Sequence, residues 1–272
     1  MPSVPPRARP VRQGAGPEAG RTASFAPRTL RPGPFGGSLA LPEAGADIWQ
    51  LRISEYVAGM PDGSLGLLDA TERERHAVFR KPIDRERYAA AHIALRHLLG
   101  AYLGHPPADV VLGREPCPLC PEPAESRESG GSHESAPSRK PHGRPCVPGA
   151  DLHFSLSHSG DLVLLAFAPT PVGIDTELLT DVSQADEIVA ALHPRERAEL
   201  AALHADDTAR LAAFGRCWCR KEAYLKGTGT GLAVPLDGTY VGAGTRPGEI
   251  PGWRLTDVEV GEGYSAAVAV AS

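Results

Sequence analysis

Features that would identify a membrane, secreted or nucleic-acid-binding protein are missing from this chain of 272 residues. No stretch approaches the roughly 18 consecutive apolar residues that a membrane-spanning helix needs. The N-terminus also lacks the apolar core of a secretory signal peptide. The formal net charge is only −5 at pH 7, which gives no electrostatic reason to expect a nucleic-acid partner. We therefore expect neither a membrane span nor a nucleic-acid function.

Cysteine is scarce as well, and the five cysteines are Cys117, Cys120, Cys146, Cys217 and Cys219. An odd number without a secretion signal favours reduced thiols in a cytoplasmic protein over a disulfide framework. Some of these residues lie in a group with the ligand types of a structural zinc site, namely Cys117, Cys120, His133, His142 and Cys146. Free thiols in a solvated loop and a zinc clip both remain open.

Two segments have the composition of disordered chain. Residues 1–45 are rich in Pro, Gly and Arg without apolar periodicity, so we expect a disordered tail. The six arginines and two acids of this tail would suit a transit peptide, but its prolines oppose the amphipathic helix of such a peptide. Residues 115–140 shift to Pro, Glu, Ser, Gly and Arg, and we interpret them as a solvated insertion loop.

Residues 46–170 carry the signals of one unit of strands and helices. Alternating apolar residues at 49–53 predict a strand. A capping-box pattern at 69–72 begins a helix, and apolar residues at helical spacing predict a longer helix over 84–104. Residues 152–168 read as two strands joined by a tight turn, which predicts a hairpin.

Residues 171–272 carry a similar set of signals. A long helix is predicted from Thr208, and strands are predicted at 172–177, 239–241, 253–260 and 265–270. The hydrophobic content of 42% supports a real core. The two halves therefore suggest an α+β fold of two related subdomains, although no sequence repeat is visible.

Acidic residues are placed in both a strand and a helix of the second half. Asp175 and Glu177 face one side of the predicted strand, and Glu222 and Lys226 lie one helical turn apart. Three carboxylates and a lysine suit a hard cation and a phosphorylated substrate. A solvent-facing strand end and a surface ion pair are the plain alternatives. The position of Glu222 beside an apolar stripe opposes the second of these, because a buried carboxylate needs a partner.

A polar segment, Ser155–Asp161, supplies hydroxyls and an imidazole. A catalytic Ser-His-Asp triad is not favoured, because adjacent strand residues point in opposite directions and no G-x-S-x-G elbow is present. Phosphate binding by Ser157 and His158 fits the residue types better. Among the basic residues clustered around the start of the longer helix of the first half, Arg87, inside its first turn, is best placed to hold an anion beside the helix N-terminus.

The order of these motifs resembles a known family. Val172-Gly-Ile-Asp-Thr-Glu177 followed by Trp218-x-x-Lys-Glu-Ala-x-x-Lys226 resembles the paired signatures of the Sfp-type 4′-phosphopantetheinyl transferases. The segments His142–Pro145 and Phe154–Gly160 and the helix that carries Arg87 agree with the same family.

The resemblance implies two similar α/β subdomains, residues 46–170 and 171–272, related by a pseudo-twofold axis with coenzyme A in the cleft between them. It implies transfer of the 4′-phosphopantetheine group from coenzyme A to a serine of an apo acyl or peptidyl carrier protein. The other product would be adenosine 3′,5′-bisphosphate. Because one chain carries both halves, a monomer with one internal site is expected.

Site residues follow from the same resemblance. Asp175, Glu177 and Glu222 would hold Mg²⁺ with the pyrophosphate of coenzyme A. Glu222 would also act as the base, and Lys226 would neutralise charge on the pyrophosphate. Further contacts to coenzyme A are expected from Arg75, Arg87, Arg144, Ser157 and His158. The family usually has lysine at the position of Arg144. The competing interpretation is a non-catalytic, zinc-clipped module that binds coenzyme A or a carrier protein.

Overall fold

The computed structural model describes residues 26–119, 143–179 and 188–272. Its strands are β1 (Arg28–Thr29), β2 (Asp47–Arg52), β3 (Gly113–Arg114), β4 (Pro145–Cys146), β5 (His153–Ser159), β6 (Leu162–Ala168), β7 (Val172–Leu178), β8 (Trp253–Asp257) and β9 (Tyr264–Ala271). Its α-helices are α1 (Ile53–Ala58), α2 (Ala70–Val78), α3 (Pro82–Leu103), α4 (Pro194–Ala201) and α5 (Asp207–Thr228). The structure is therefore a mixed α+β fold, as the sequence predicts.

The first sheet has the strand order β1-β2-β6-β5. Strands β5 and β6 form the predicted antiparallel hairpin, and its turn contains Gly160 at a φ of +55°. Every residue of β6 is buried, so this strand reads as a continuous apolar run. Helix α3 packs on the sheet through a cluster that includes Leu95, Leu98 and Leu99. This helix ends at Gly104, whose left-handed conformation caps it as the sequence predicts.

The second sheet has the order β7-β9-β8, with both pairs antiparallel. Helix α5 lies on this sheet and approaches β7 closely, because two glycines meet at the contact. A Cβ atom on Gly173 would lie 1.9 Å from the carbonyl oxygen of Ala223 and 2.3 Å from the main-chain nitrogen of Gly227. Any side chain at Gly173 would therefore push the helix that carries Glu222 away from the strand that carries Asp175.

The predicted limit of the disordered tail, residues 1–45, is wrong for its last part. Strand β1 pairs in parallel with β2, with Arg28 opposite Trp49. Leu30 is only 7% exposed, and the ring of Phe35 meets that of Trp49 edge-on at 5.5 Å. Single apolar residues such as Leu30 and Phe35, separated by prolines, show neither helical nor strand spacing, so the sequence pattern does not predict that they are buried. Residues 1–25 lie outside the described part of the chain.

Other local predictions need smaller corrections. Residues 239–241 form no strand, because the main chain there is tied to buried side chains of α4 and α5 instead. The longer helix of the first half begins at Pro82 rather than at a cap by Asp84. The capping box of α2 is present, with Asp69 and Glu72 each accepting a main-chain N–H of the other.

Some predictions fall on residues that the structure does not describe. Three candidate zinc ligands, Cys120, His133 and His142, belong to this group, and so does most of the predicted insertion 115–140. The pseudo-twofold relation of residues 46–170 and 171–272 stays a prediction. Within the described residues, none of the helices is both long and apolar enough to cross a membrane.

Candidate active site

The predicted acidic and basic residues meet where β5, an edge of the first sheet, lies beside β7, an edge of the second. A cavity of about 360 Å³ opens at this place, lined by Leu156, Ser157, His158, Asp175, Glu177, Trp218, Glu222 and Lys226. Another cavity, between the two sheets near Ile48, has a volume of only about 10 Å³ and can hold no more than a single water. The larger cavity is therefore the candidate active site.

Asp175 is the most buried carboxylate in this cavity, with 3% of its surface exposed. Its Oδ1 accepts hydrogen bonds from Lys226 Nζ at 2.6 Å and from Ser157 Oγ at 2.9 Å. Its Oδ2 is buried and has no hydrogen-bond partner among the described residues. A buried carboxylate oxygen without a partner is costly, so Asp175 retains unused capacity for a ligand.

Glu177 and Glu222 share the cavity with Asp175, and the three charges oppose one another. Burial, followed by the charge of Asp175, raises the pKa of Glu222 above its usual value. The same two causes raise the pKa of Glu177, while the hydrogen bond from Ser159 and the charge of Lys226 act in the opposite direction. Bringing carboxylates together in this way indicates a site for a cation rather than a structural contact.

The donor set fits Mg²⁺ bound jointly with a substrate. Within residues 26–119, 143–179 and 188–272, no three His, Cys, Asp or Glu side chains form a ready-made metal cluster. Mg²⁺ does not need one, because it usually takes one or two carboxylates plus phosphate oxygens and water. The unpartnered Oδ2 of Asp175 and the mutual repulsion of the three carboxylates are what such an ion would relieve.

His158 and the positively charged Arg87 lie at one edge of the candidate site. Crowding by protein atoms lowers the pKa of His158, although part of the ring reaches solvent, and the charges of Lys226 and Arg87 lower it further. A neutral imidazole can donate one hydrogen bond to a phosphate. Arg87 lies close by, because its Nε donates to the carbonyl of Gly160 at 3.1 Å and its Nη1 to Asp84 at 3.2 Å.

Besides Arg87, two predicted coenzyme A contacts lie outside the lining of this cavity. Arg144 pairs with Glu115, and its Nη1 donates to the carbonyl of Gly227 at the end of α5 at 2.8 Å. Arg75 is exposed on α2, with its guanidinium over the ring of Phe79 at 5.2 Å from the centroid. A coenzyme A contact by either residue stays a prediction and would require the ligand to extend beyond the cavity.

Two residues of the site were missed by sequence reasoning, although each carries a signal. Trp218 lines the cavity beside Glu177, and its indole opposes the rise in the pKa of that carboxyl. Its position one turn before Glu222 on α5 could have indicated this. Ser159 donates to Glu177 Oε2 at 2.9 Å. The alternation of Ser157 and Ser159 along β5 puts both hydroxyls on one side of the strand.

Comparison with known proteins gives the family. The profile of the 4′-phosphopantetheinyl transferase superfamily matches residues 171–257, the part that carries the three carboxylates and Lys226. The chain is 30% identical to the 4′-phosphopantetheinyl transferase HetI of Nostoc sp. over 82% of this chain and 86% of that protein. It is 37% identical to the 4′-phosphopantetheinyl transferase Sfp of Bacillus subtilis over 37% of this chain and 44% of that protein.

A third relative extends the comparison. The chain is 30% identical to a phosphopantetheinyl transferase of Thraustochytrium sp. over 72% of this chain and 65% of that protein. The match to HetI extends over much more of this chain than the 87 residues of the superfamily profile, 171–257. The chain therefore belongs to the family of Sfp-type 4′-phosphopantetheinyl transferases.

Proposed function

We propose that this transferase moves the 4′-phosphopantetheine group of coenzyme A to a serine of an apo acyl or peptidyl carrier protein, with Mg²⁺ as the metal. The observation that carries the proposal is the cavity in which Asp175, Glu177 and Glu222 face Lys226. In the reaction the serine oxygen bonds to the phosphorus next to the pantetheine arm. The phosphorus–oxygen bond to adenosine 3′,5′-bisphosphate breaks.

Glu222 is the proposed base. The serine must lose its proton as its oxygen bonds to phosphorus, and Glu222 is a carboxylate of the cavity on the rigid helix α5. Burial and the neighbouring carboxylates raise its pKa when no metal is bound, and Mg²⁺ in the site would keep the carboxylate ionised so that it can accept the serine proton. A general base of this kind contributes roughly 10²–10⁴-fold to a reaction rate.

Lys226 is the proposed counter-charge for the leaving group. In the structure its ammonium contacts Asp175 at 2.6 Å and Ser157 Oγ at 3.0 Å, so it already lies beside the carboxylates. Negative charge on the bridging oxygen rises as adenosine 3′,5′-bisphosphate leaves. A fixed positive charge at that point stabilises the transition state, which is the main form of catalysis in phosphoryl transfer.

Mg²⁺ would be held by Asp175, Glu177 and Glu222 and would supply charge neutralisation at the pyrophosphate. His158, which lines the cavity, and Arg87, which contacts the nearby turn at Gly160, are the proposed phosphate contacts, with Arg75 and Arg144 further along the coenzyme. The role of Ser157 is less direct than we predict from the sequence, because its hydroxyl hydrogen is directed to Asp175.

Intact-protein mass spectrometry tests the proposal. The full chain is incubated with coenzyme A, Mg²⁺ and each of several apo carrier proteins of fatty-acid, polyketide and non-ribosomal peptide type. We expect at least one carrier to gain the mass of one phosphopantetheine group, and EDTA to stop the gain. Absence of any gain across the panel would contradict the proposal.

The zinc-clipped binding module is the second candidate, and membership of a transferase family argues against it. Only Cys117 and Cys146 of its five candidate ligands lie in the described part of the chain. This module predicts stoichiometric zinc and no turnover, so metal analysis of the purified protein beside the carrier assay separates the two functions. A cytoplasmic monomer is the expected form of the transferase, and light scattering of the purified chain tests the monomer.

A further inference from the structure

Three serines alternate along β5, and each accepts a hydrogen bond from the main chain of β7. The pairs are Ser155 Oγ with Ile174 N at 3.1 Å, Ser157 Oγ with Thr176 N at 3.4 Å and Ser159 Oγ with Leu178 N at 3.0 Å. The two strands therefore join in parallel through hydroxyl groups rather than through a main-chain ladder. We call this row of three residues the serine ladder.

A serine hydroxyl has one hydrogen, and the main-chain contact decides where that hydrogen points. Because the N–H of Leu178 occupies a lone pair of Ser159 Oγ, the hydrogen of Ser159 is free to be donated. It is directed to Oε2 of Glu177, at 2.9 Å. In the same way Ser157 accepts from Thr176 and donates to Asp175 Oδ1 at 2.9 Å. Through these hydrogen bonds the serine ladder fixes the orientation of the carboxylates of Asp175 and Glu177 on β7.

The three rungs are not equivalent, which provides an internal comparison. Ser155 makes the same kind of contact to β7 as Ser159, but within the described part of the chain no hydrogen bond links it to a carboxylate. Ser157 contacts both Asp175 and Lys226, so a change there disturbs the proposed counter-charge as well. Ser159 contacts Glu177 and does not contact Lys226 in the structure.

We infer that Ser159 is a positioning residue that holds the carboxylate of Glu177 in the orientation required to bind the divalent cation. The inference rests on the proposed function, because it needs a metal in this cavity. Support comes from the geometry, because the hydroxyl of Ser159, fixed by the N–H of Leu178 at 3.0 Å, donates to Oε2 of Glu177 at 2.9 Å, and a cation binds the charged form of this carboxylate. The hydroxyl of Ser159 is a hydrogen-bond donor to this charged form, and outer contacts of this kind tune metal ligands.

Mn²⁺ binding to the full chain in the presence of coenzyme A tests the inference without turnover. Electron paramagnetic resonance measures the Mn²⁺ that stays free in solution. Ser159→Ala is expected to weaken Mn²⁺ binding by about tenfold or more. Ser159→Thr keeps the hydroxyl and should restore binding to near the wild-type value. Ser155→Ala loses an equivalent contact to β7 and is expected to leave Mn²⁺ affinity unchanged. Ser159→Cys, with a weak donor in a similar volume, should behave as Ser159→Ala and covers the case in which alanine impairs folding.

The outcomes separate this inference from the function on which it rests. Saturable Mn²⁺ binding by the wild type, with Ser159→Ala and Ser159→Cys as tight as Ser155→Ala, would overturn the role of Ser159 alone. Failure of the wild type to bind Mn²⁺ would overturn the metal assignment and this inference together. Weakened binding that is not restored in Ser159→Thr would show that the hydroxyl is not the cause and would also overturn it.

Discussion

Within two turns, helix α5 carries two charged residues that are buried and two that line the cavity. Arg220 and Lys221 are 0% and 2% exposed, whereas Glu222 and Lys226 line the open cavity. Arg220 and Lys221 have hydrogen-bond partners for their charged groups. Glu222 instead lies near other carboxylates that repel it, one of which is Asp175 with its unpartnered Oδ2. The comparison teaches that neighbouring charges on one helix can serve the fold on one side and the chemistry on the other.

The buried side is a network of ion pairs and carbonyl contacts. Lys221 Nζ lies 2.8 Å from Glu196 Oε2 and donates to the carbonyls of Leu236 and Thr239, each at 2.7 Å. Arg220 donates to both carboxylate oxygens of Asp257 and to nearby main-chain carbonyls. These contacts fix the loop after α5, which has little regular secondary structure of its own. Lys221, although part of the family motif, therefore stabilises the fold rather than the site.

The largest expected effect is on catalysis at the cavity side. Glu222→Gln removes the proposed base with almost no change in volume, so transfer should fall by roughly 10²–10⁴-fold. The measurement is the rate of carrier mass gain by mass spectrometry. Glu74→Gln, at an exposed position of α2, is the matched control and should keep the wild-type rate. A Glu222→Gln enzyme as fast as this control would remove Glu222 from the mechanism.

The second effect is on stability at the buried side. Lys221→Met leaves Glu196 as an uncompensated buried charge, so the free energy of unfolding should fall by about 3–5 kcal/mol. Urea denaturation followed by circular dichroism measures it. The double variant Lys221→Met/Glu196→Gln is expected to lose less than Lys221→Met alone. An unchanged urea midpoint in Lys221→Met would contradict the structural role.

The sequence predicts contacts between residues that are close along the chain better than contacts between residues that are far apart. The capping box of Asp69 and the turn at Gly160 involve neighbouring residues, and both are confirmed. The packing of Leu30 depends on a strand that lies twenty residues further along the chain, so composition missed it. Lys221 and Lys226 look alike in the sequence, since their difference depends on Glu196 and on a loop after the helix.

Glu222→Gln is expected to be slightly more stable than the wild type, whereas Lys221→Met is expected to be less stable. Burial raises the pKa of Glu222 in the folded state, so its charged form disfavours folding above that pKa, and the penalty disappears as pH falls below the unfolded value. In metal-free buffer Glu222→Gln should therefore melt above the wild type at pH 7–8, with the difference vanishing near pH 4. Calorimetry across this pH range measures the difference in melting temperature between the variant and the wild type. A variant that melts below the wild type at pH 8 would contradict the assigned environment.

The smallest effect is expected for Arg144→Lys. The guanidinium bridges Glu115 and the end of α5, and lysine can keep one of these contacts but not both. The loss of stability should not exceed about 1 kcal/mol, because the pair is partly exposed. Urea denaturation compares it directly with Lys221→Met. A loss as large as that of Lys221→Met would place Arg144 in the structural network.

The division of helix α5 is tested most directly by one paired measurement of transfer rate per folded molecule in Lys226→Met and Lys221→Met. Both variants exchange a lysine for methionine on the same helix. We expect both variants to lose stability, because Lys226→Met leaves the buried Asp175 without its counter-charge. Only Lys226→Met should also lose roughly 10²–10³ in rate per folded molecule, as for other groups that stabilise transition-state charge. Lys221→Met should be less stable but close to the wild-type rate once the folded fraction is counted. A Lys226→Met enzyme at the wild-type rate, or a folded Lys221→Met enzyme without activity, would contradict the account.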